Sequence, residues 1–207
     1  GATPHYVPAT KENGFLPDFS ALAPDLLNRV TIAYVCSPSN PQGAVADRAY
    51  WEVMIRLAEK HDFRIFADEC YSEIYRDDAP AGAMQIANEI GADPERVVIF
   101  HSLSKRSNLP GLRSGCVAGD ATLIERYGLY RTYHGAAMPA LSQAVSALAW
   151  SDEEHVRENR RQYREKFSAV LAILQDHLPV SAPEAGFYLW PETPIADTEF
   201  ARNLYAR

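Results

Sequence analysis

Chemically versatile side chains follow the ends of three short apolar runs in this sequence. They supply an amide, a carboxylate, a phenol, hydroxyls, an amine and a guanidinium, from Asn40, Asp68, Tyr71, Ser102, Ser104, Lys105 and Arg113. Apolar runs of this kind predict buried strands, and in an open parallel sheet ligands bind beyond the carboxyl ends of the strands. The set suits an anionic, nitrogen-containing aromatic cofactor.

Pyridoxal 5'-phosphate (PLP) is a cofactor of that kind, and its chemistry gives each group a role. An enzyme that uses it needs a lysine whose amine forms an imine, or Schiff base, with the aldehyde, and Lys105 can fill that role. It also needs a carboxylate against the pyridine nitrogen, such as Asp68, because the protonated ring acts as an electron sink. Asn40 and Tyr71 could donate to the phenolic oxygen.

The cofactor's phosphate would need hydroxyls and a guanidinium, whose planar fork matches phosphate oxygens. Ser102, Ser104 and Arg113 can supply them. Taken singly, each candidate also has an ordinary structural explanation, since Asp68 could cap a segment and Asn40 could form a turn. Because all seven candidates occur together in this order and spacing, the chemical interpretation is favoured over the structural ones.

Four apolar runs predict the strands that would position these groups. They cover residues 30–35, 63–67, 97–100 and 115–119. The first ends in the turn-rich segment 37–43, the second stops at Asp68, and the third runs into Ser102. Strands that are apolar on both faces and separated by helices indicate an α/β domain with a mainly parallel sheet flanked by helices.

Helical spacing predicts the elements between and beyond the strands. Asp47 can cap a helix whose apolar face carries Val53, Met54, Leu57 and Ala58. Near residue 150 the pattern changes, with a capping box at 151–154 and helical apolar spacing over 156–178. A strand is expected at 186–190 and a helix at 198–206. We therefore predict a large domain over 1–150, then an interdomain helix and the start of a smaller α+β domain over 151–207.

Composition excludes several classes of protein. The 207 residues carry a net charge of -7 without a basic block, which argues against a nucleic-acid surface. No apolar run is long enough to span a bilayer, and no signal peptide opens the chain. The three cysteines form no CxxC pair, so neither a zinc site nor a disulfide framework is expected, and Cys36 and Cys116 are predicted to be buried free thiols. A cytoplasmic setting is the default.

Three ordered motifs resemble those of the class I/II (fold-type I) PLP-dependent aminotransferases. Residues 37–43 are similar to their Asn-Pro-x-Asn-Pro-Thr-Gly motif, with Ser37 for the first Asn and Gln42 for Thr. Residues 67–71 resemble their Asp-Glu-x-Tyr motif. Residues 102–115 resemble their Ser-x-Ser-Lys and Gly-x-Arg-x-Gly signature.

The resemblance implies an aspartate-aminotransferase-like large domain that binds PLP, the site roles given above, a cis Asn40–Pro41 bond and a homodimer. Its loop around Lys105 is similar to that of succinyldiaminopimelate aminotransferases. That implies transfer of an amino group between glutamate and N-succinyl-2-amino-6-oxopimelate in lysine biosynthesis. Other hypotheses are a C–S lyase or decarboxylase of the same fold and the aminotransferase-like sensing module of a transcription regulator.

The family has elements that this sequence lacks. These are an N-terminal phosphate loop with a ring-stacking aromatic residue, and a C-terminal arginine that binds the substrate carboxylate. The sequence is therefore expected to be an internal fragment of a longer enzyme. Residues 1–207 alone are expected to be inactive.

Overall fold

The structure is a computed structural model that describes residues 1–206. Within these residues, a four-stranded sheet forms the centre of the fold. The strands lie in the order β1 (Ile32–Cys36), β2 (Arg64–Asp68), β3 (Val97–Ser102) and β4 (Gly115–Ala118). The first three are parallel, and β4 pairs antiparallel with β3. The expected α/β fold with a mainly parallel sheet is confirmed, with an antiparallel strand at one edge.

Within residues 1–206, eight α-helices accompany the sheet. They are α1 (Pro24–Leu27), α2 (Arg48–His61), α3 (Ala83–Glu89), α4 (Leu103–Arg106), α5 (Ala121–His134), α6 (Ala140–Ser151), α7 (Glu154–Leu174) and α8 (Asp197–Tyr205). Short 3₁₀ turns cover Lys11–Asn13, Phe19–Ala21, Pro94–Arg96 and Pro110–Leu112. The helix expected at 198–206 is confirmed as α8.

The hydrophobic core lies where α2 and α3 pack against the sheet. As expected, Asp47 caps α2, and its Oδ1 accepts from Tyr50 N at 2.7 Å. The buried face of α2 carries Trp51, Met54, Ile55 and Ala58, a spacing of three and four residues that keeps one stripe inward. Val53, which was expected on that face, is 48% exposed because it lies outside this stripe.

Three expectations about residues 151–190 are wrong. Ser151 ends α6 and donates to Leu148 O, while Asp152 Oδ1 accepts from Glu154 N, so no capping box forms. Helix α7 ends at Leu174 rather than at 178. Residues 186–190 form no strand. Within residues 1–206 this region contributes only an isolated bridge between Tyr75 and Ala185, and a strand needs a partner along its length.

The turn after β1 packs against the chain near residue 185. Gly43 has a φ of 75°, and a Cβ placed there would lie 2.4 Å from Ala185 O and 2.5 Å from Pro183 Cβ. Only glycine allows this backbone conformation together with so close an approach. The expected cis Asn40–Pro41 bond is present.

The thiols are less buried than expected. Cys116 is exposed and Cys36 is half-buried. Cys116 lies on β4, a strand at the edge of the sheet with β3 as its one strand partner among residues 1–206. None of the helices within residues 1–206 has the length and hydropathy needed to cross a membrane.

Candidate active site

Three of the predicted site residues meet beyond the carboxyl ends of β1, β2 and β3. Asn40 follows β1, and its Nδ2 donates to the hydroxyl of Tyr71, which follows β2, at 3.0 Å. Lys105 lies on α4 directly after β3, with its Nζ 5.8 Å from the centre of the Tyr71 ring. Parallel strands bring these groups together because their carboxyl ends share one edge of the sheet.

An aromatic wall, formed by Tyr71, Phe187 and Tyr188, lies beside the amine of Lys105. The Lys105 Nζ lies 4.5 Å from the centre of the Phe187 ring, a cation–π geometry. Phe187 lies 5.3 Å and Tyr188 6.4 Å from the Tyr71 ring, centre to centre. Sequence analysis missed Phe187 and Tyr188, because their apolar run predicted a strand and nothing in it indicated contact with Lys105.

The phenol of Tyr71 is suited to remain a hydrogen-bond donor. Its side chain is buried, with 6% exposed. Burial raises the pKa of Tyr71, and the neighbouring hydroxyl of Tyr188 raises it further. The Tyr71 oxygen accepts a hydrogen bond from Asn40, and its own proton is left to donate, with the Tyr188 hydroxyl as the neighbouring acceptor.

Asp68 is the last residue of β2 and lies at the centre of the same edge, between Cys36 of β1 and Phe100 of β3. Its carboxylate is exposed, and Oδ1 accepts from the amide of Cys70 at 3.1 Å. Burial and the charge of Asp68 raise the pKa of the Cys36 thiol to about 11. The thiol beside Asp68 is therefore protonated near neutral pH.

The hydroxyls before Lys105 have local structural roles. Ser102 caps α4, since its Oγ accepts from Ser104 N at 3.1 Å, and the two hydroxyls lie 2.9 Å apart. Arg113 adopts a left-handed backbone with φ of 54°, is exposed, and donates to Pro110 O at 2.8 Å. The predicted grouping of Arg113 with these hydroxyls around a phosphate stays a prediction.

A buried carboxylate next to Asp68 was also missed. Glu69 is 5% exposed, its Oε1 accepts from Ala83 N at 2.8 Å, and its Oε2 lies 3.2 Å from His101 Nε2. The pair ties the end of β2 to the end of β3 and to the start of α3. Glu69 is the Glu of the Asp-Glu-x-Tyr motif, and that position could have identified it, but the neighbouring Asp68 drew the chemical interpretation instead.

The described side chains at this edge of the sheet form a donor and acceptor set that could bind a cofactor. They offer an amine against aromatic rings, a phenol and an amide in contact, and a carboxylate on the central strand. This donor set fits an aromatic cofactor that carries a phenolic oxygen and a ring nitrogen. Within residues 1–206, no cluster of three His, Cys, Asp or Glu side chains could hold a metal ion.

The fold and this edge define a PLP-dependent transferase domain of the aspartate aminotransferase type. A solved aminotransferase from Neisseria meningitidis superposes with a TM-score of 0.86 at 47% identity, covering 94% of this chain and 50% of that one. A probable N-succinyldiaminopimelate aminotransferase from Thermus thermophilus gives a TM-score of 0.83 at 28% identity, covering 97% and 54%.

The sequence itself gives the family. The aminotransferase class I and II family matches residues 1–207, and the chain belongs to that family. An LL-diaminopimelate aminotransferase from Dehalococcoides mccartyi is 32% identical over 212 residues, covering 99% of this chain and 53% of that protein. The chain thus spans about half the length of the relatives it matches. Members of the family depend on PLP, which confirms the expected cofactor class.

Proposed function

We propose that the full-length protein is a PLP-dependent aminotransferase that moves an amino group between an amino acid and a keto acid. One observation carries the proposal. The Lys105 amine lies beside the Asn40–Tyr71 pair, on an edge where Asp68 ends the central strand of the three parallel ones. Family membership supports the same activity.

Each described group has a role under this proposal. Lys105 would attach the cofactor and, when released, hold and move a proton at Nζ. Asp68 would bind the ring nitrogen and keep it protonated, while Asn40 and Tyr71 would donate to the phenolic oxygen. When bound, PLP supplies an electron sink for the substrate's α-carbon. Ser102, Ser104 and Arg113 would hold the phosphate.

The substrate we propose is N-succinyl-2-amino-6-oxopimelate, with glutamate as the amino donor. The support is the loop around Lys105 and the names of two similar proteins, an LL-diaminopimelate aminotransferase and a probable N-succinyldiaminopimelate aminotransferase. We further propose a cytoplasmic homodimer with a domain boundary at 150/151, which falls at the last residue of α6, shortly before α7 begins.

The test is an assay of the full-length protein with PLP. Glutamate with N-succinyl-2-amino-6-oxopimelate should yield 2-oxoglutarate, and the reverse direction should be measured with LL-diaminopimelate as a competitor substrate. Lys105→Ala should abolish turnover, and Lys60→Ala, at the exposed end of α2, should not. Release of carbon dioxide from glutamate instead of amino transfer would contradict the proposal and indicate a decarboxylase. Release of pyruvate, ammonia and a thiol from an added S-substituted cysteine, without amino transfer from glutamate, would indicate a lyase.

A further inference from the structure

The short helix that carries Lys105 is stabilised by side chains from another helix. Helix α4 has only four residues, far too few to be stable alone. Its last carbonyls have no partner within the helix. Asn159 of α7 supplies one, with its Nδ2 3.2 Å from Lys105 O and 3.4 Å from Arg106 O. One side chain of α7 therefore binds the backbone of the lysine itself.

A second contact from α7 holds the next residue. His155 Nε2 lies 2.8 Å from Ser107 Oγ, and His155 Nδ1 lies 2.6 Å from Asp152 Oδ2. A carboxylate only accepts, so Nδ1 carries a proton and donates to Asp152, while Nε2 shares the second hydrogen bond with the Ser107 hydroxyl. The hydrogen bond from His155 also lowers the pKa of Asp152. Asp152 thus orients His155 toward Ser107.

The order Ser107, His155, Asp152 has the form of a nucleophilic triad, but the surroundings do not suit that chemistry. Ser107 is only 8% exposed. Its amide N–H, which could serve an oxyanion, instead donates to Leu103 O at 3.1 Å. The chain of contacts is therefore better suited to fixing the loop after Lys105 than to attacking a substrate.

Further contacts tie the Lys105 turn to the end of α6 and to the residue before α7, and tie α7 to Phe187. Arg106 is 6% exposed, and its guanidinium donates to Ala149 O at 2.8 Å and pairs with Glu153. Further along α7, Tyr163 stacks on Phe187 with 5.9 Å between ring centres. The Phe187 ring is the one beside Lys105 Nζ. Helix α7 thus contacts the lysine on its backbone side and, through Phe187, on its amine side.

From this arrangement we infer that the first two turns of α7 set the position of the lysine amine, with His155 and Asn159 as positioning residues for Lys105. The inference rests on the proposed function, since the position of Nζ matters for catalysis only if Lys105 holds the cofactor. Neither residue belongs to the three sequence motifs. A change at α7 should therefore alter the chemistry of Lys105 without touching any group that binds the cofactor.

The experiment compares Asn159→Leu and His155→Phe in the full-length protein, with Arg161→Ala as the matched control. Arg161 lies on the same helix and pairs only with Glu158 and Glu165 at the surface among the described residues. The cofactor-free proteins are acetylated with acetic anhydride, and mass spectrometry gives the labelling of Lys105 relative to Lys60. Each α7 variant should raise that ratio by about fivefold, the factor to which one lost hydrogen bond corresponds. The control should leave it unchanged.

Kinetics of the PLP-loaded protein provide the second measurement. In both variants kcat should fall by about fivefold while KM for glutamate stays the same, because only the position of the lysine changes. Asn159→Gln keeps an amide donor, so both its Lys105 to Lys60 labelling ratio and its kcat should lie between those of Asn159→Leu and the unchanged protein. Thermal unfolding verifies that each variant folds. Should Asn159→Leu not fold, His155→Phe carries the same test.

The outcomes separate the two proposals. An unchanged Lys105 to Lys60 ratio in folded Asn159→Leu and His155→Phe would overturn the positioning role, whatever the turnover. So would labelling of Ser107 by a fluorophosphonate, which would make it a nucleophile. A raised ratio in a protein that does not transaminate would support the positioning role while contradicting the proposed function.

Discussion

Replacing Tyr71 by phenylalanine removes one hydroxyl and leaves the aromatic wall in place. The ring packs against Phe187 and Tyr188, and Tyr71→Phe leaves this ring packing unchanged. The lost partners are the amide of Asn40 and the hydroxyl of Tyr188, both on exposed residues that can turn to water instead. The free energy of unfolding should therefore fall by no more than about 1 kcal/mol, the net value of an ordinary hydrogen bond.

The effect on cofactor binding should be larger. The Tyr71 proton would serve the phenolic oxygen of PLP, and a hydrogen bond to a charged group contributes about 1.5–3 kcal/mol. That corresponds to a 10- to 150-fold weaker affinity, taking about 1.4 kcal/mol per factor of ten. Because the pKa of Tyr71 is raised above its ordinary value, its phenol is protonated at neutral pH and the loss should not depend on pH between about 6 and 9.

The assay is an absorbance titration of the cofactor-free full-length protein with PLP, paired with thermal unfolding. Tyr163→Phe is the matched control. It also removes one hydroxyl from a ring that stacks on Phe187, at 5.9 Å between ring centres, but Asn40 donates to Tyr71 and not to Tyr163. Wild-type affinity in a folded Tyr71→Phe variant would refute the role of the phenol. So would an equal loss in the control.

Other expected outcomes concern the central strand, the turn and a thiol. Asp68→Asn keeps an oxygen for the Cys70 amide but removes the charge, so turnover should fall about a hundredfold or more with little change in unfolding temperature. Near-normal turnover would make Asp68 a structural cap. Gly43→Ala should lower the free energy of unfolding by about 2 kcal/mol or more, and Gly91→Ala, with similar φ but open space, by about 1 kcal/mol, as chemical denaturation would measure. At pH 8 Cys36 should react with iodoacetamide about a hundredfold more slowly than a free thiol, because its pKa is about 11. A rate equal to that of free cysteine would contradict that pKa.

Local chemistry in the sequence was enough to predict the four strands of the sheet, the α2 cap and the positions of the polar groups. Apolar runs that end at Asp68 and Ser102 can be detected without knowing what they pack against. Parallel pairing then requires their carboxyl ends to share an edge, so proximity of Asn40, Tyr71 and Lys105 could be predicted before any coordinate was known.

Tertiary structure alone decided the contacts between segments distant in the chain. Phe187 beside Lys105, Asn159 on the lysine carbonyl and His155 on Ser107 join residues that no local pattern relates. The errors have the same origin. Residues 186–190 have strand-like composition, but a strand forms only where a partner offers a ladder of hydrogen bonds, and that is a property of the whole fold.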